Sequence, residues 1–409
     1  MKKLLKSFLL LLIMAALLQC SSKSTDPDKP EKPRDLTVAE KTLTESGNKF
    51  AFDLFNKMSE SSDGRNLFIS PLSVSFALGM AYNGASGDTR DSIGKALGFA
   101  GLTVEQINSS YKSLMELLTG LDSKVVMQIA NSIWYRQDFS VRDAFLQVNK
   151  YYFSAEVAPL DFNDPGAVIT INEWVSENTR GKIQEIVAAP IDPLTMLFLI
   201  NAVYFKGTWT YQFDKSKTVD GQFTCGDGSV VSCKMMSQKE EYPYFGNEEL
   251  QAVDLPYGDG KFNMAVFVPT HISDISNLMA NFTQENWKGW TGSFSRQAVN
   301  LYMPQFKVEA EYNLNQILSA LGMRIAFDPD MADFSHINDS VKLYISKVKH
   351  KTFVEVNEEG TEAAAVTSIE IGTTSGPMEA VVRLDRPFIF VIHENHSGSI
   401  LFMGILMKP

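Results

Sequence analysis

Strict alternation of apolar and polar residues marks one segment near the C-terminus. Residues 343–358 read LYISKVKHKTFVEVNE. One side of this run carries Tyr344, Ser346, Val348, His350, Thr352, Val354 and Val356. Because successive side chains of a strand point to opposite faces, the pattern predicts a β-strand with that side buried. It also predicts that His350 is a neutral, hydrogen-bonded core histidine rather than a catalytic one.

Helical periodicity appears in several other segments. Apolar residues at helical spacing predict helices over 37–60, 169–179 and 314–323, the last closed by a glycine. In NLFISPLSVSFALGM, Ser70 is a good N-cap and Pro71 suits the first helical turn. The helix that follows is apolar on nearly every side, so it is predicted to lie in the core.

Uninterrupted apolar runs predict buried strands. Residues 195–209, TMLFLINAVYFKGTW, are rich in β-branched and aromatic residues, which favours a strand buried on both faces. Residues 380–392 and 399–406 predict two more strands, joined by the polar turn HENHSG. Helices and strands together predict an α+β protein built on large sheets.

Residues 357–375, NEEGTEAAAVTSIEIGTTS, fit no single element. As a strand, the segment has an uncharged inner face formed by Thr361, Ala363, Ala365, Thr367, Ile369 and Ile371. The opposite face holds every charge that follows Gly360 in the segment. Gly360, which precedes both faces, tolerates unusual backbone dihedrals. The segment can therefore lie in solvent as a loop or enter a sheet as a strand. An ordinary edge strand explains the alternation but not the run of small residues after a glycine.

Composition and motifs narrow the function. The chain has 409 residues, 44% hydrophobic and 21% charged, with a net charge of −11, which argues against a nucleic acid or an anionic membrane surface as the main partner. We find no GxSxG, GxxxxGK[ST] or HExxH motif. The turn His393-Glu394-Asn395-His396 has the wrong spacing for two metal ligands on a helix. The sequence therefore predicts neither an enzyme nor a metal site.

The N-terminus resembles a bacterial lipoprotein signal. A basic start and a short apolar run precede Cys20, so residues 1–19 are predicted to be a signal peptide and Cys20 to be lipid-modified. Gln19 departs from that motif, which usually has a small residue there. Residues 20–35 are polar and rich in Pro, Asp and Lys, as in a solvated tether. Residues 36–409 contain no linker and are predicted to form one domain.

Two further cysteines flank a predicted turn. Cys225 and Cys233 lie on either side of Gly226-Asp227-Gly228-Ser229, between two β-prone runs. In an oxidising compartment they can form a cross-strand disulfide, and otherwise they are two reduced, half-buried thiols. Because the register of the hairpin cannot be read from the sequence, both alternatives stay open.

EEGTEAAAVT, from Glu358 to Thr367, closely resembles the hinge of the reactive-centre loop of inhibitory serpins, the suicide inhibitors of proteases. The similarity continues in NLFISPLSVS, NAVYFKGTW, MPQF (303–306), LxxLGM…AFD…ADFS (318–335), VRLDRPFIFVI and FMG (402–404), in the family's order. The chain is therefore identified as a member of this family over nearly all of residues 36–409. The resemblance implies the serpin fold: a large five-stranded mixed sheet, two further sheets, surrounding helices and an exposed reactive-centre loop.

The resemblance also implies roles for individual residues. Members of the family trap a protease by inserting the cleaved loop into the main sheet as a new strand, which is a known form of strand addition. The loop hinge here corresponds to Glu358, Glu359, Gly360, Thr361, Glu362, Ala363, Ala364 and Ala365. The polar cluster beneath the opening strands, the shutter, corresponds to Ser70, Ser73, Asn201 and His350. Trp209 corresponds to the aromatic residue where insertion begins.

The reactive bond is the least determined part of the resemblance. The family's spacing from Gly360 places it at Thr374-Ser375, whereas counting back from Arg386-Pro387-Phe388 lands about two residues later. Ile371 and Met378 are secondary candidates. No Lys or Arg lies between Gly360 and Val382, which argues against trypsin-like targets. Thr374 instead suits elastase-like or subtilisin-like serine proteases, with some papain-like cysteine proteases as further targets.

Partners and cofactors follow from the same resemblance. We expect a monomer that needs no cofactor, forms covalent complexes with target serine proteases, and meets a membrane only through its N-terminal lipid. The segment after Gly87 carries only Arg90 and Lys95 against two aspartates, so no heparin-type activator is expected. The expected location is the outer membrane or cell surface, facing the periplasm or the exterior. The alternative is a non-inhibitory serpin that acts as a carrier or chaperone.

Overall fold

A computed structural model describes residues 33–271, 275–361 and 379–409 of the chain. Helices begin where the sequence supplies caps: Thr37 forms a capping box with Glu40, and the Ser70 hydroxyl accepts a hydrogen bond from the Ser73 amide. The α-helices among these residues are α1 (Val38–Ser59), α2 (Pro71–Gly84), α3 (Gly87–Ala96), α4 (Val104–Gly120), α5 (Asp143–Phe153), α6 (Pro165–Asn178), α7 (Ile275–Ala280), α8 (Gln284–Gly292) and α9 (Asn315–Leu318).

The strands form two sheets. They are β1 (Leu67–Ile69), β2 (Val125–Arg136), β3 (Glu156–Leu160), β4 (Leu197–Thr208), β5 (Val219–Thr224), β6 (Val230–Gly246), β7 (Leu250–Tyr257), β8 (Phe262–Pro269), β9 (Ser295–Pro304), β10 (Phe306–Asn313), β11 (Lys349–Asn357), β12 (Gly360–Thr361), β13 (Ala380–Arg383), β14 (Phe388–Glu394) and β15 (Ile400–Leu406). Sheet I has the order β10-β11-β12-β4-β2-β3. Sheet II has the order β1-β15-β14-β8-β7-β6-β9-β13, with β5 on β6.

The buried helix α2 lies between the sheets. Every residue of α2 except Ala77 is buried, as its uniformly apolar sequence predicts. The helix contacts β4 of sheet I and β15 of sheet II. Residues Leu36–Pro409 form one compact unit, and residues 33–35 are the described part of a second unit, Met1–Asp35.

The predicted α+β fold is confirmed, with two differences in the sheets. Sheet I contains the five long strands that the resemblance implies, and β12 adds a sixth of two residues. The two further sheets are one continuous sheet because β6 is 17 residues long. Its segment Met235–Tyr244 pairs with β9, and Tyr244–Gly246 pairs with β7.

Three predicted elements are shorter than their sequence patterns. The strand predicted over 343–358 begins at Lys349, because its partner β10 ends opposite, at Asn313. The run 380–392 is two strands, interrupted around Pro387, which has no amide proton to donate. The helix predicted over 314–323 is α-helical only through Leu318 and then continues as a π-helical turn.

The hairpin register excludes the Cys225–Cys233 disulfide. The Cys225 amide donates to the Ser229 carbonyl, and Cys233 lies opposite Gly221. The two cysteines are therefore several residues apart along the ladder, roughly 13 Å at strand spacing, where a disulfide needs α-carbons within about 7 Å. Both thiols are free, with Cys225 buried and Cys233 half-buried. The reduced alternative is the correct one.

Candidate functional site

The first residues of the predicted loop hinge lie inside sheet I. Gly360 and Thr361 form β12, which is antiparallel to both of its neighbours. On one side Thr361 pairs with Val356 of β11, and on the other side it pairs with Gly207 of β4. From the sequence, this segment can lie in solvent as a loop or enter a sheet as a strand. Gly360 and Thr361 adopt the strand alternative in the structure, because both have backbone partners on two sides.

Thr361 is anchored by its side chain as well. It is 3% exposed, and its Oγ1 lies 2.6 Å from the Tyr257 hydroxyl. Burial raises the pKa of Tyr257, so the phenol stays protonated, and either hydroxyl can donate in this hydrogen bond. The Tyr257 ring stacks on Trp209 with 4.3 Å between ring centroids. Thr361 therefore faces the inner side, as the alternation of the segment predicts.

Trp209 closes the end of the sheet where β12 enters. Its backbone amide donates to the Glu359 carbonyl at 2.9 Å, and its Nε1 donates to the Asn357 carbonyl at 3.0 Å. The side chain is 3% exposed. Trp209 thus holds the chain on both sides of the turn that leads from β11 into β12.

The two acidic residues before Gly360 are buried and bonded. The Glu358 carboxylate accepts hydrogen bonds from the Thr218 hydroxyl at 2.6 Å and the Gln305 amide at 2.7 Å. The Glu359 carboxylate pairs with Lys215, and this hydrogen bond raises the pKa of the lysine. A buried carboxylate is costly without such partners. The partners lie far away in the sequence, so sequence reasoning missed them.

A narrow cleft adjoins Thr361 between β4 and β11. Its walls are Val203–Phe205 of β4, Phe353–Glu355 of β11 and residues of the segment that follows α6. β12 is the element between the two strands, and among the strand ladders of the described residues none joins β4 directly to β11. Beyond Thr361, sheet I therefore has two facing strands that lack a ladder with each other, which is the geometry that accepts an added strand.

Helix α6 and the segment 179–187 cover this cleft. The helix packs Trp174 and Ile171 against the β2–β4 side, in one cluster with Ile200 and Ala202. On the other side of the cleft, the Lys351 ammonium donates to the Glu185 carbonyl at 3.1 Å. The covering segment therefore contacts both strands that flank the cleft.

Three of the four predicted shutter residues come together beneath the sheet. The Ser70 amide donates to His350 Nε2 at 2.9 Å, and the Ser70 hydroxyl donates to the Leu401 carbonyl at 2.9 Å. Ser73 is buried one turn further, and its amide donates to Ser70 Oγ. The next strand residue on the same face, Thr352, donates to the Phe68 carbonyl at 2.7 Å. This network ties the start of α2 to β11.

Asn201 belongs to a different hydrogen-bond network. Its amide donates to Asn131 Oδ1 at 2.8 Å, and Asn131 in turn donates to the Phe153 carbonyl at 2.7 Å. Asn201 and Asn131 are direct cross-strand partners on β4 and β2. Sequence reasoning missed Asn131. The alternation of residues 343–358 places Thr352 on the buried face with His350, but its part in the hydrogen-bond network was not predicted.

The buried His350 predicts a pH-dependent stability. Burial lowers its pKa to about 4, while an unfolded histidine titrates near 6.5. Between these values the unfolded chain binds more protons, so stability falls as the pH drops through this window, by up to about 3 kcal/mol. His350→Asn keeps a hydrogen-bond acceptor for the Ser70 amide and removes the contribution of His350 to the pH dependence of stability. Urea midpoints of both proteins at pH 4 and pH 7.5 measure it. Parallel pH profiles would contradict the prediction.

Several predicted residues lie outside the described residues. They are Cys20, Glu362, Ala363, Ala364, Ala365, Ile371, Thr374, Ser375 and Met378. Within the described ranges, no cluster of His, Cys, Asp and Glu is arranged to hold a metal ion. In the turn His393-Glu394-Asn395-His396, His393 Nε2 lies 3.0 Å from Asp254 Oδ1. In the same ranges no helix has the length and apolarity needed to cross a bilayer.

Comparisons with known proteins agree with this geometry. The family model described as Serpin (serine protease inhibitor) matches residues 45–409. A leukocyte elastase inhibitor from Equus caballus is 36% identical over 378 residues, covering 90% of this chain and 99% of the relative. The native-state structure of the thermophilic serpin tengpin has a TM-score of 0.83 at 32% identity and covers 93% of this chain and 97% of its own. Human thyroxine-binding globulin complexed with thyroxine has a TM-score of 0.83 at 27% identity, covering 91% of this chain and 100% of its own.

Proposed function

Since the chain belongs to the serpin family, whose members are protease inhibitors and generally not catalytic enzymes, we propose that it is a suicide-substrate inhibitor of serine proteases. The observation that carries the proposal is β12, in which Gly360 and Thr361 lie between β4 and β11. A serine protease attacks the carbonyl carbon of the reactive residue, the peptide bond to the next residue breaks, and the protease is left as an ester on the new C-terminus. The freed loop then adds to sheet I.

The register of β12 supports a definite path for the proposed insertion. If the added strand continued this register without a shift, Ala363 would lie between Phe205 and Val354, which are both buried. Thr367 would then lie between Asn201 and His350. Side chains larger than alanine at the first of these positions would have to displace packed core atoms, which costs about 1–3 kcal/mol. The small residues after Gly360 are therefore what rapid insertion requires.

The covalent complex forms only if insertion is faster than deacylation. Insertion carries the ester-linked protease away from the hinge and distorts its active site, so that water no longer completes hydrolysis. Strand addition supplies new main-chain hydrogen bonds along both β4 and β11. Gly360 and Thr361 already lie in sheet I as β12, so the first residues of the added strand are paired before cleavage.

We propose Thr374-Ser375 as the reactive bond and elastase-like or subtilisin-like serine proteases as the main targets, with some papain-like cysteine proteases as further ones. The threonine suits their preference for small or β-branched side chains, and the similarity to a leukocyte elastase inhibitor supports this class. Ile371 and Met378 are secondary positions.

Changing the reactive residue should change the target. Thr374→Arg supplies the positive charge that a trypsin-like specificity pocket pairs with its carboxylate, so we expect the rate of complex formation with trypsin to rise at least about a hundredfold. The same variant should lose most of its activity toward the elastase-like enzyme. Association rates with both proteases measure this. If Ser375→Arg forms a complex with trypsin and Thr374→Arg does not, the reactive bond lies one residue later than proposed.

A denaturing gel tests the proposed function. The domain 36–409 is mixed with an elastase-like protease, and the released C-terminal peptide is weighed in parallel. A complex that survives denaturation and a peptide that begins at Ser375 are the expected results. Cleavage without complex, repeated across elastase-, chymotrypsin-, subtilisin- and papain-like enzymes, would contradict inhibition.

A non-inhibitory carrier is the second candidate. It is favoured by the likeness to thyroxine-binding globulin, whose structure holds thyroxine. The hinge argues against it here, because a carrier does not need the small residues that follow Gly360. The gel above separates the two candidates.

The cellular setting is part of the proposal. We propose an exported monomer that is anchored through a lipid on Cys20, with residues 20–35 as a tether, at the outer membrane or cell surface, facing the periplasm or the exterior. Metabolic labelling with a radioactive fatty acid tests the anchor: label in the wild type and none in Cys20→Ala is the expected result.

A further inference from the structure

A buried hydrogen-bond acceptor without a donor lies on β4, in one wall of the cleft. Asn201 Nδ2 donates to Asn131 Oδ1 at 2.8 Å, and Asn131 Nδ2 donates to the Phe153 carbonyl at 2.7 Å. These two bonds fix the orientation of both amides, so Asn201 Oδ1 points away from Asn131. The oxygen is buried, and no described residue donates a hydrogen bond to it. A buried acceptor without a donor is costly, so Asn201 requires an explanation.

A hydrogen-bond donor lies on β11, in the opposite wall. His350 Nε2 accepts from the Ser70 amide, so the neutral ring carries its proton on Nδ1. Burial lowers the pKa of His350 to about 4, which keeps the ring neutral at neutral pH. Among the hydrogen bonds of the described residues, none uses this Nδ1 proton. The two walls therefore carry complementary groups, an acceptor on Asn201 and a donor on His350. We call this pair of residues the polar slot.

One position of an added strand meets both residues of the polar slot. If the register of β12 continues for six residues beyond Thr361, Thr367 lies directly opposite Asn201 on β4 and directly opposite His350 on β11. The β-carbons of directly opposite residues are about 5 Å apart, within reach of a short side chain. A hydroxyl donates and accepts hydrogen bonds through a single oxygen atom, which is what an acceptor on one side and a donor on the other require.

The sequence supplies a hydroxyl at that position of the inner face. Among every second residue from 361 to 371, only Thr361 and Thr367 carry a hydroxyl, and the others are alanine or isoleucine. The Thr361 hydroxyl already has a partner at the start of the cleft. A shift of the register by two residues would place Ala365 or Ile369 at the polar slot and leave both of its groups buried without a partner. The slot therefore favours one register over its neighbours.

We infer that Thr367 is a positioning residue of the inserted loop: its hydroxyl donates to Asn201 Oδ1, accepts from His350 Nδ1, and so fixes the register of the added strand. The inference rests on the proposed function. Among the described residues neither group of the polar slot has a partner, and insertion gives each of them one. The slot therefore favours the inserted state over the uninserted one as well as one register over the others.

Thr367→Val tests the inference, because valine has the shape of threonine without the hydroxyl. Each protein is cut once between residues 371 and 378 with a trace of a papain-like protease, and its mass confirms the position of the cut. We expect cleaved Thr367→Val to unfold in guanidinium at least about tenfold faster than the cleaved wild type. Thr367→Ser should restore the wild-type rate. The matched control Thr373→Val removes a hydroxyl beyond the residue opposite the end of β4 and should leave the rate unchanged.

The His350 ring gives a readout that a purely structural role of Thr367 would not change. In protein labelled with nitrogen-15 histidine, cleavage should slow the exchange of the His350 Nδ1 proton with water at least about tenfold. Thr367→Ser should show the same slowing, and Thr367→Val should show none.

A disulfide reports the register itself. Val203→Cys and Ala365→Cys are direct partners in the register of β12, so they should cross-link in the cleaved protein. Adding Thr367→Val should lower the yield of this disulfide severalfold, because the polar slot no longer favours one register.

Wild-type unfolding and wild-type exchange of the His350 proton in cleaved Thr367→Val would overturn the inference and leave the proposed function intact. If Thr367→Val fails to fold, Asn201→Ala removes the acceptor from the other side, and the cleaved protein should again unfold faster than the cleaved wild type. If cleavage makes the wild type no slower to unfold and no covalent complex forms with elastase, the loop does not insert, and the proposed function fails together with the inference.

Discussion

Replacing Thr361 by arginine should convert the inhibitor into a substrate. Thr361 is 3% exposed between β4 and β11, and its hydroxyl bonds to Tyr257. Arginine there would bury an unpaired charge at a cost of about 3–5 kcal/mol, which should keep β12 out of sheet I both before cleavage and during insertion. The loop of Thr361→Arg should still be cleaved, but the amount of inhibitor consumed for each protease trapped should rise at least about tenfold. Titration of elastase activity measures this ratio.

Thr361→Ser is the matched control, because it keeps the hydroxyl that bonds to Tyr257 and adds no charge. The amount of Thr361→Ser consumed for each protease trapped should stay close to that of the wild type. If Thr361→Arg traps protease as efficiently as the wild type, insertion at this position is not part of the mechanism.

Adding a single methyl group at Gly360 should also impair inhibition. Gly360 has φ +151°, and a Cβ built on it would lie 2.1 Å from the Gly207 carbonyl oxygen and 2.8 Å from Thr208 Cα. Because both obstacles are backbone atoms, β12 has to move away from β4 to relieve the overlap. Gly360→Ala should therefore weaken the pairing of β12 with β4 and lower the thermal midpoint of unfolding. We also expect the amount of inhibitor consumed for each protease trapped to rise severalfold.

Gly228→Ala separates this clash from simple backbone strain. Gly228 has φ +81°, and a Cβ there meets no atom within 4 Å. That variant should lose about 1–2 kcal/mol of stability and keep wild-type inhibition. Equal loss of inhibition in the two variants would show that strain, and not the contact with β4, limits insertion.

Local patterns predicted the residues whose orientation depends on strand parity or on a helix cap. Alternation predicts the buried side of β11 because that strand packs one face on the core, and His350, Thr352, Val354 and Val356 are all buried. Parity also predicts the inward orientation of Thr361. Ser70 caps α2 because its hydroxyl lies within reach of the Ser73 amide, a contact three residues away.

Contacts between distant segments could not be predicted in this way. The Glu358 carboxylate accepts hydrogen bonds from the neutral side chains of Thr218 and Gln305. Both residues are far from the hinge in the sequence, so no periodic pattern links them to it. Asn201 carries the residue type that the family pattern requires, yet its partner is decided by the β2–β4 register, which places it opposite Asn131. The same limit applies to Cys225 and Cys233, whose separation depends on where the hairpin turns.

The state of the hinge is the main feature that the sequence left open. Residues 357–375 carry signals for helix, strand and loop, and the choice among them depends on whether sheet I offers partners. β4 and β11 offer them at Gly360 and Thr361, where the ladder forms on both sides. Glu359 is held by Lys215 directly before that point. The mixed signals of the segment agree with the proposed function, in which the segment changes its pairing.

Amide exchange in the purified covalent complex tests the central claim most directly. If the cleaved loop continues the register of β12, the amides of β4 and β11 that face the cleft gain partners along the length of both strands. We predict that these amides exchange at least about a hundredfold more slowly in the complex than in the uncleaved protein, while β2 and β10 change little. A covalent complex in which β4 and β11 exchange as they do before cleavage would contradict insertion as the basis of inhibition.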